Sequence, residues 1–284
     1  MAEIDFHRAE GWRREHWGQD PDTRLAGPHE AAAFIERVGF ATLFPASPEV
    51  PNLFHAFLGD PGARTDSGHS SPSGQVYSWR WALGRAEVAF YGAVVRDRPT
   101  WVAWGLLPAV LRLRGEARPP EELHALGHLS AEALRLAEAL ASAGGVLSTG
   151  ELRRAAGFPA GKEQRAAYLK AVAELDARLL LAKVFADDDL DMSHALVAMR
   201  YPAQVGAAGQ LSREEALDRL LRTYLPAAAY VAPVPLARHL KPARPELAAA
   251  LDRLAAAGTL AAIALPGRLG RGYVWQPADG VGRG

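Results

Sequence analysis

One arrangement occurs twice in this chain and limits what it can fold into: a long amphipathic helix, two shorter helical segments, then two apolar strands joined by a polar loop. The first copy begins at Ser130 and the second at Ser212, 82 residues later. A repeat of this length marks a small domain used more than once, an architecture that serves binding more often than catalysis.

In the first copy Ser130 caps a helix carrying Leu134, Ala137 and Leu140/Ala141 at helical spacing until Gly144 and Gly145 stop it. Ser148, Thr149, Gly150 and Glu151 open a short helix with Leu152, Ala155 and Ala156. A third helix is expected over Gly161–Arg178, its core face formed by Tyr168, Val172, Leu175 and Leu179. Strands are expected at Leu179–Phe185 and His194–Tyr201, closed by Pro202. The second copy predicts a helix over Arg213–Leu225, a short segment around Leu236–Leu240, and a helix over Pro245–Ala257. Strands at Leu260–Leu265 and Gly272–Gln276 then flank the loop Pro266–Arg271. Three helices followed by a two-stranded wing is winged-helix order, a helix-turn-helix variant whose third helix can enter a major groove.

The copies differ in charge. Opposite its apolar stripe, the first copy's third helix offers Glu163, Ala167, Lys170 and Glu174, and its wing carries Asp187, Asp188, Asp189 and Asp191. Those four aspartates lack the glycine and terminal glutamate of a calcium loop and read as a solvated acidic turn. The second copy offers Glu246, Ala249 and Arg253 on its helix and Arg268 and Arg271 on its wing, which suits phosphate contact.

Length, 49% hydrophobic and 23% charged residues fit two or three globular domains within 284 residues. Cysteine is absent, so disulfides, thiolate metal sites and a cysteine nucleophile are excluded. The start of the chain is not a secretory signal, and no apolar run reaches the ~20 residues of a membrane span, so a cytoplasmic protein is expected. Lys plus Arg equals Asp plus Glu at 32 each, so any face for a polyanion must be local. Charge is indeed uneven: Tyr77–Gly115 and Leu236–Arg271 each carry +4, whereas the first 30 residues carry −3.

Tyr77–Gly115 also holds four of the seven tryptophans, Trp79, Trp81, Trp101 and Trp104. The alternation Tyr77-Ser78-Trp79-Arg80-Trp81 predicts a strand with three aromatics on one face. Rings beside arginines can stack unpaired bases, or can form the core of a first domain with arginines at its rim. Trp79-Arg80-Trp81, Phe90-Tyr91-Gly92, Arg98-Pro99-Thr100 and Leu107-Pro108 resemble segments of bacterial relatives of the AlkZ-type DNA glycosylases, in the superfamily of tandem winged-helix DNA-binding proteins. The resemblance implies an α+β, mostly α fold. An N-terminal extension (1–27) would precede a diverged first winged helix (28–119) and two further ones (120–203 and 204–284), all curving around DNA.

Enzymes of that family place Gln-x-Gln or Gln-x-Asp shortly after the first helix. The matching stretch after Pro28–Val38 reads Gly39-Phe40-Ala41-Thr42-Leu43-Phe44-Pro45, and Thr42 and Phe44 cannot activate water as paired amides or a carboxylate could. The expectation is therefore a double-stranded DNA-binding protein in repair or regulation, needing no cofactor or metal. Arg80, Arg96, Arg98, Arg112, Lys170, Arg253, Arg268 and Arg271 are its candidate DNA contacts. The alternatives are a base-excision enzyme with a relocated carboxylate, Asp60 or Asp66, and a protein-interaction scaffold. His55, Asp60, Asp66 and His69 share one Gly, Pro and Ser-rich loop without a defined ligand spacing. No phosphate-binding glycine loop, metalloprotease helix or nucleophile elbow occurs.

Overall fold

The computed structural model describes residues 6–186, 192–266 and 270–276. A leading helix α1 (Phe6–His16) precedes the first unit: α2 (Pro28–Val38), β1 (Phe40–Thr42), α3 (Leu53–Leu58), α4 (Pro72–Arg85), β2 (Phe90–Val95) and β3 (Arg98–Val102). Connecting helices α5 (Leu107–Arg114) and α6 (Pro120–Ala125) lead to the second unit. This comprises α7 (Ala131–Ser142), β4 (Leu147–Ser148), α8 (Thr149–Ala155), α9 (Lys162–Ala177), β5 (Leu181–Phe185) and β6 (Met192–Leu196). After α10 (Val197–Arg200) and α11 (Pro202–Gln210), the third unit runs α12 (Arg213–Ala228), β7 (Tyr230–Val231), α13 (Pro233–Leu240), α14 (Arg244–Ala256), β8 (Leu260–Ala264) and β9 (Arg271–Trp275). The fold is α+β and mostly helical. Among the described residues three antiparallel sheets have the orders β1-β3-β2, β4-β6-β5 and β7-β9-β8, so one topology recurs three times.

Local chemistry sets these starts and stops. Ser148 with Glu151, and Ser212 with Glu215, form reciprocal capping boxes at the starts of α8 and α12. Gly39 ends α2 at φ +81°, and a Cβ there would lie 2.5 Å from the Thr223 side chain, so glycine lets α12 approach.

One expected strand is helical, and another is helical in its second half. Tyr77–Trp81 lies inside α4: Ser71 caps it by accepting from Gly74 N–H, Pro72 opens it, and Val76, Trp79 and Leu83 are buried at helical spacing. The second strand of the middle unit stops at Leu196. Tyr201 N–H then bonds the Val197 carbonyl, and Pro202 opens α11. The preceding strand starts at Leu181 because Leu179 turns the chain at φ +55°.

The cores are distributed unevenly among the units. The second unit closes its own, around Leu136, Leu140, Leu152, Tyr168, Leu175 and Leu181. The first and third share one, in which Phe34, Phe40, Phe54 and Trp101 are continuous with Leu221, Tyr224 and Leu251. Arg13 fastens α1 across that joint: buried, it donates to the Ala228 and Tyr230 carbonyls, pairs with buried Glu49 at 3.4 Å, and stacks 3.4 Å from the Tyr230 ring. The second unit docks through Phe185, whose ring lies 5.6 Å from Trp81, 5.5 Å from Tyr91 and 6.0 Å from Trp101. Gly84 makes room for it, since a Cβ there would sit 2.2 Å from the phenyl ring.

Candidate nucleic-acid interface

In each unit the third helix is α4, α9 or α14, and they expose different chemistry. On α9 the buried stripe is Tyr168, Ala171 and Leu175. Its exposed residues are Lys162, Glu163, Gln164, Arg165, Ala166, Leu169, Lys170 and Ala173, three cations to one acid. Of the outward face expected from the sequence, Glu163 and Lys170 are exposed, whereas Ala167 and Glu174 are partly buried. Glu174 turns inward, accepting from Ser130 N–H at 3.1 Å and from Ser130 Oγ, and so joins α9 to the start of α7. Just before α9, Arg153, Arg154 and Phe158 line an open groove. Asp187, Asp188, Asp189 and Asp191, expected to form an acidic wing, lie outside the described residues.

On α4 the Arg80 guanidinium stacks 3.5 Å from the half-exposed Tyr77 ring and 4.9 Å from Trp81. Its Nε is buried without a partner, and burial lowers its pKa, with Tyr91 opposing. Trp79, Phe90, Tyr91 and Trp101 are core residues, so of the aromatic platform only Tyr77 with Arg80 reaches well into solvent. Arg112 is exposed on α5.

The two wing arginines of the first unit serve a joint. Arg96 and Asp97 both have positive φ, +51° and +59°, the two-residue hairpin turn that matches strand twist. Lys241 binds the Asp97 carboxylate at 2.7 Å and Arg114 at 3.3 Å. These two cations hold its pKa below the ordinary value although burial opposes them. Arg96 and Arg98 reach the Ala46 and Pro45 carbonyls at 3.4 and 3.3 Å. In the third unit Arg253 is paired with Glu214 and Asp218, and Arg271 with Asp252, which also accepts from the Tyr273 hydroxyl. Arg268 lies outside the described residues. The expected contacts are thus spread over three places, and Lys170 alone belongs to the α9 stripe. Lys162 and Arg165 were missed; taking Tyr168 and Leu175 as the inner face and counting to the opposite side would have found them.

At the motif position Thr42 is buried and its hydroxyl donates to the Phe44 carbonyl at 2.8 Å, while half-buried Phe44 leans on Phe54. Asp60 accepts from Gly62 N–H at 2.7 Å in a turn. Asp66 and Ser73 exchange hydrogen bonds, chiefly those of Ser73 and Ser71 lowering the exposed carboxyl's pKa. His55 holds the Ala63 carbonyl at 3.2 Å and burial lowers its pKa, and His69 is exposed. Among the described residues no three His, Asp or Glu side chains form a metal-binding group.

Residues 25–229 match the model of a family described as AlkZ related. The chain belongs to the AlkZ-related family. Among solved structures, this AlkZ-related chain is similar to the Streptomyces sahachiroi DNA glycosylase AlkZ at a TM-score of 0.60 and 16% identity, covering 96% of this chain and 70% of that one. At that identity the likeness is one of fold. No curated protein matches the chain by sequence. No helix among the described residues is long and apolar enough to cross a membrane.

Proposed function

We propose that this AlkZ-related chain is a DNA-binding protein of the repair type, in which three winged helices act in tandem on duplex DNA and the middle one supplies the main contact. The observation that carries this reading is the α9 stripe. Lys162, Arg165 and Lys170 project from one face of the third helix of a helix-turn-helix order, with Arg154 on the preceding helix. Phosphates neutralised there release counterions, and Leu169 between the cations offers an apolar contact to a groove. Family membership and the fold likeness to a DNA glycosylase support the same class of ligand.

Base excision is not part of the proposal. With its hydroxyl committed to a carbonyl, Thr42 leaves no group at the motif position to activate water, and Asp60 and Asp66 act as turn and helix-start acceptors. Titration of a duplex at 50 and 200 mM salt tests the reading. About four neutralised phosphates would weaken binding more than a hundredfold over that range, from a slope of about −0.9 per phosphate. Absent or salt-insensitive binding would remove it.

A further inference from the structure

The loop after β1 crosses to the third unit and places Ser47 against His239 on α13, with Oγ 2.7 Å from Nε2. Four observations distinguish this pair from an ordinary surface contact. His239 is buried while Ser47 is only partly so, so the imidazole is held. Glu49 N–H donates to Ser47 Oγ at 3.0 Å; with the hydroxyl proton directed at Nε2, one oxygen lone pair is left unused by these two bonds. Nδ1 of His239 is buried with no hydrogen-bond partner among the described residues, so the ring is bonded there through Nε2 to Ser47. Finally, the exposed Arg96 and Arg98 are bound to the carbonyls of Ala46 and Pro45, the two residues before Ser47, and Arg96 N–H also donates to the His239 carbonyl at 3.3 Å.

We propose that Ser47 and His239 form a nucleophile–base pair whose substrate is an anionic phosphate ester, drawn in and oriented by Arg96 and Arg98. A serine bonded to an imidazole is the activated-nucleophile arrangement, and guanidinia held on the carbonyls of the two preceding residues select a phosphoryl centre over a neutral acyl ester. Ser47 Oγ adds to phosphorus as its proton passes to Nε2, and the leaving alkoxide departs with that proton. A water then gives a proton to Nε2 and adds to the phosphoseryl ester, releasing the phosphate product as the proton returns to Oγ. Burial, Arg96 and Arg238 all favour the neutral base, and Glu49, fixed by Arg13, favours the imidazolium formed during transfer.

The test is independent of DNA binding. The full chain is treated with an alkyl fluorophosphonate, and the adduct is located by peptide mass analysis. One adduct on Ser47 is expected, absent in Ser47→Ala and about a hundredfold slower in His239→Gln. Turnover of bis(p-nitrophenyl) phosphate should fall at least tenfold in Arg96→Gln/Arg98→Gln while fluorophosphonate labelling of that variant continues. No Ser47 adduct on the unaltered chain, an equal rate in a folded His239→Gln, or phosphodiester turnover indifferent to both arginines overturns the proposal. Because the first outcome needs no variant, a His239→Gln chain that fails to fold leaves the test intact.

Discussion

His194 faces the interior of the second unit, paired across the sheet with Lys183 and Leu147 and 3.3 Å from the Thr149 hydroxyl. Burial, aided by the Lys183 charge, pushes its pKa down to about 3, so the folded unit holds it neutral where an unfolded chain would bind a proton below about 6.5. The unfolded state thus binds more protons between those values, and stability falls as pH drops through that window. We expect a loss of about 2 kcal/mol between pH 7 and pH 5 from this residue, measurable as a shift in urea midpoint and removed by His194→Gln. Identical midpoints for the two chains at both pH values would refute it. The strand that holds His194 was legible in the sequence, but the burial of the ring and its cationic neighbour were not, because Lys183 becomes adjacent only through strand pairing. Glu174 shows the same limit: its spacing on α9 reads as outward, yet the backbone and hydroxyl of Ser130, 44 residues away, draw it in.

Among the elements, the contact that joins the second unit to the first rests on a ring and the absence of a methyl. Phe185 at the end of β5 lies on Gly84 of α4, and a Cβ at Gly84 would meet the phenyl ring at 2.2 Å. Gly84→Ala should therefore undock the second unit, despite alanine's better helix propensity by about 1 kcal/mol. Hydrogen exchange of β5 should speed up at least tenfold in Gly84→Ala and in Phe185→Ala, with the core of α7 unaffected; unchanged exchange in both would contradict this. Element existence was largely legible: α2 has its expected Pro28–Val38 bounds, and the three third-unit helices fall within a few residues of their periodic patterns. The error at Tyr77–Trp81 came from aromatics at alternate positions, a strand signal overridden by the Ser71 cap and Pro72 and by burial of Val76, Trp79 and Leu83 on one helical face.

At the scale of the whole molecule, the repeat visible at Ser130 and Ser212 is threefold in topology but unequal in its cores. The first and third units share a core, with Arg13 bound across their joint, and the second closes one of its own while lending Leu179, Ala182, Ala195 and Val197 to the shared core. No local pattern reveals that division, since it depends on α5 packing with both α11 and α12. Charge is redistributed in the same way. Sequence counting assigns a basic sector to the third unit, yet Arg253 and Arg271 face Asp218, Glu214 and Asp252, whereas the α9 cations of the nominally acidic middle unit face outward. The central claim, that duplex DNA is held by the α9 stripe, is tested most directly by the salt dependence of binding in two variants measured beside the parent chain. For Lys162→Gln/Arg165→Gln/Lys170→Gln the slope of log K against log salt should flatten by about 2 to 3, and for Arg253→Gln/Arg271→Gln it should stay within about 0.5 of the parent's. A flattened slope in the second variant with an unchanged slope in the first would contradict the account.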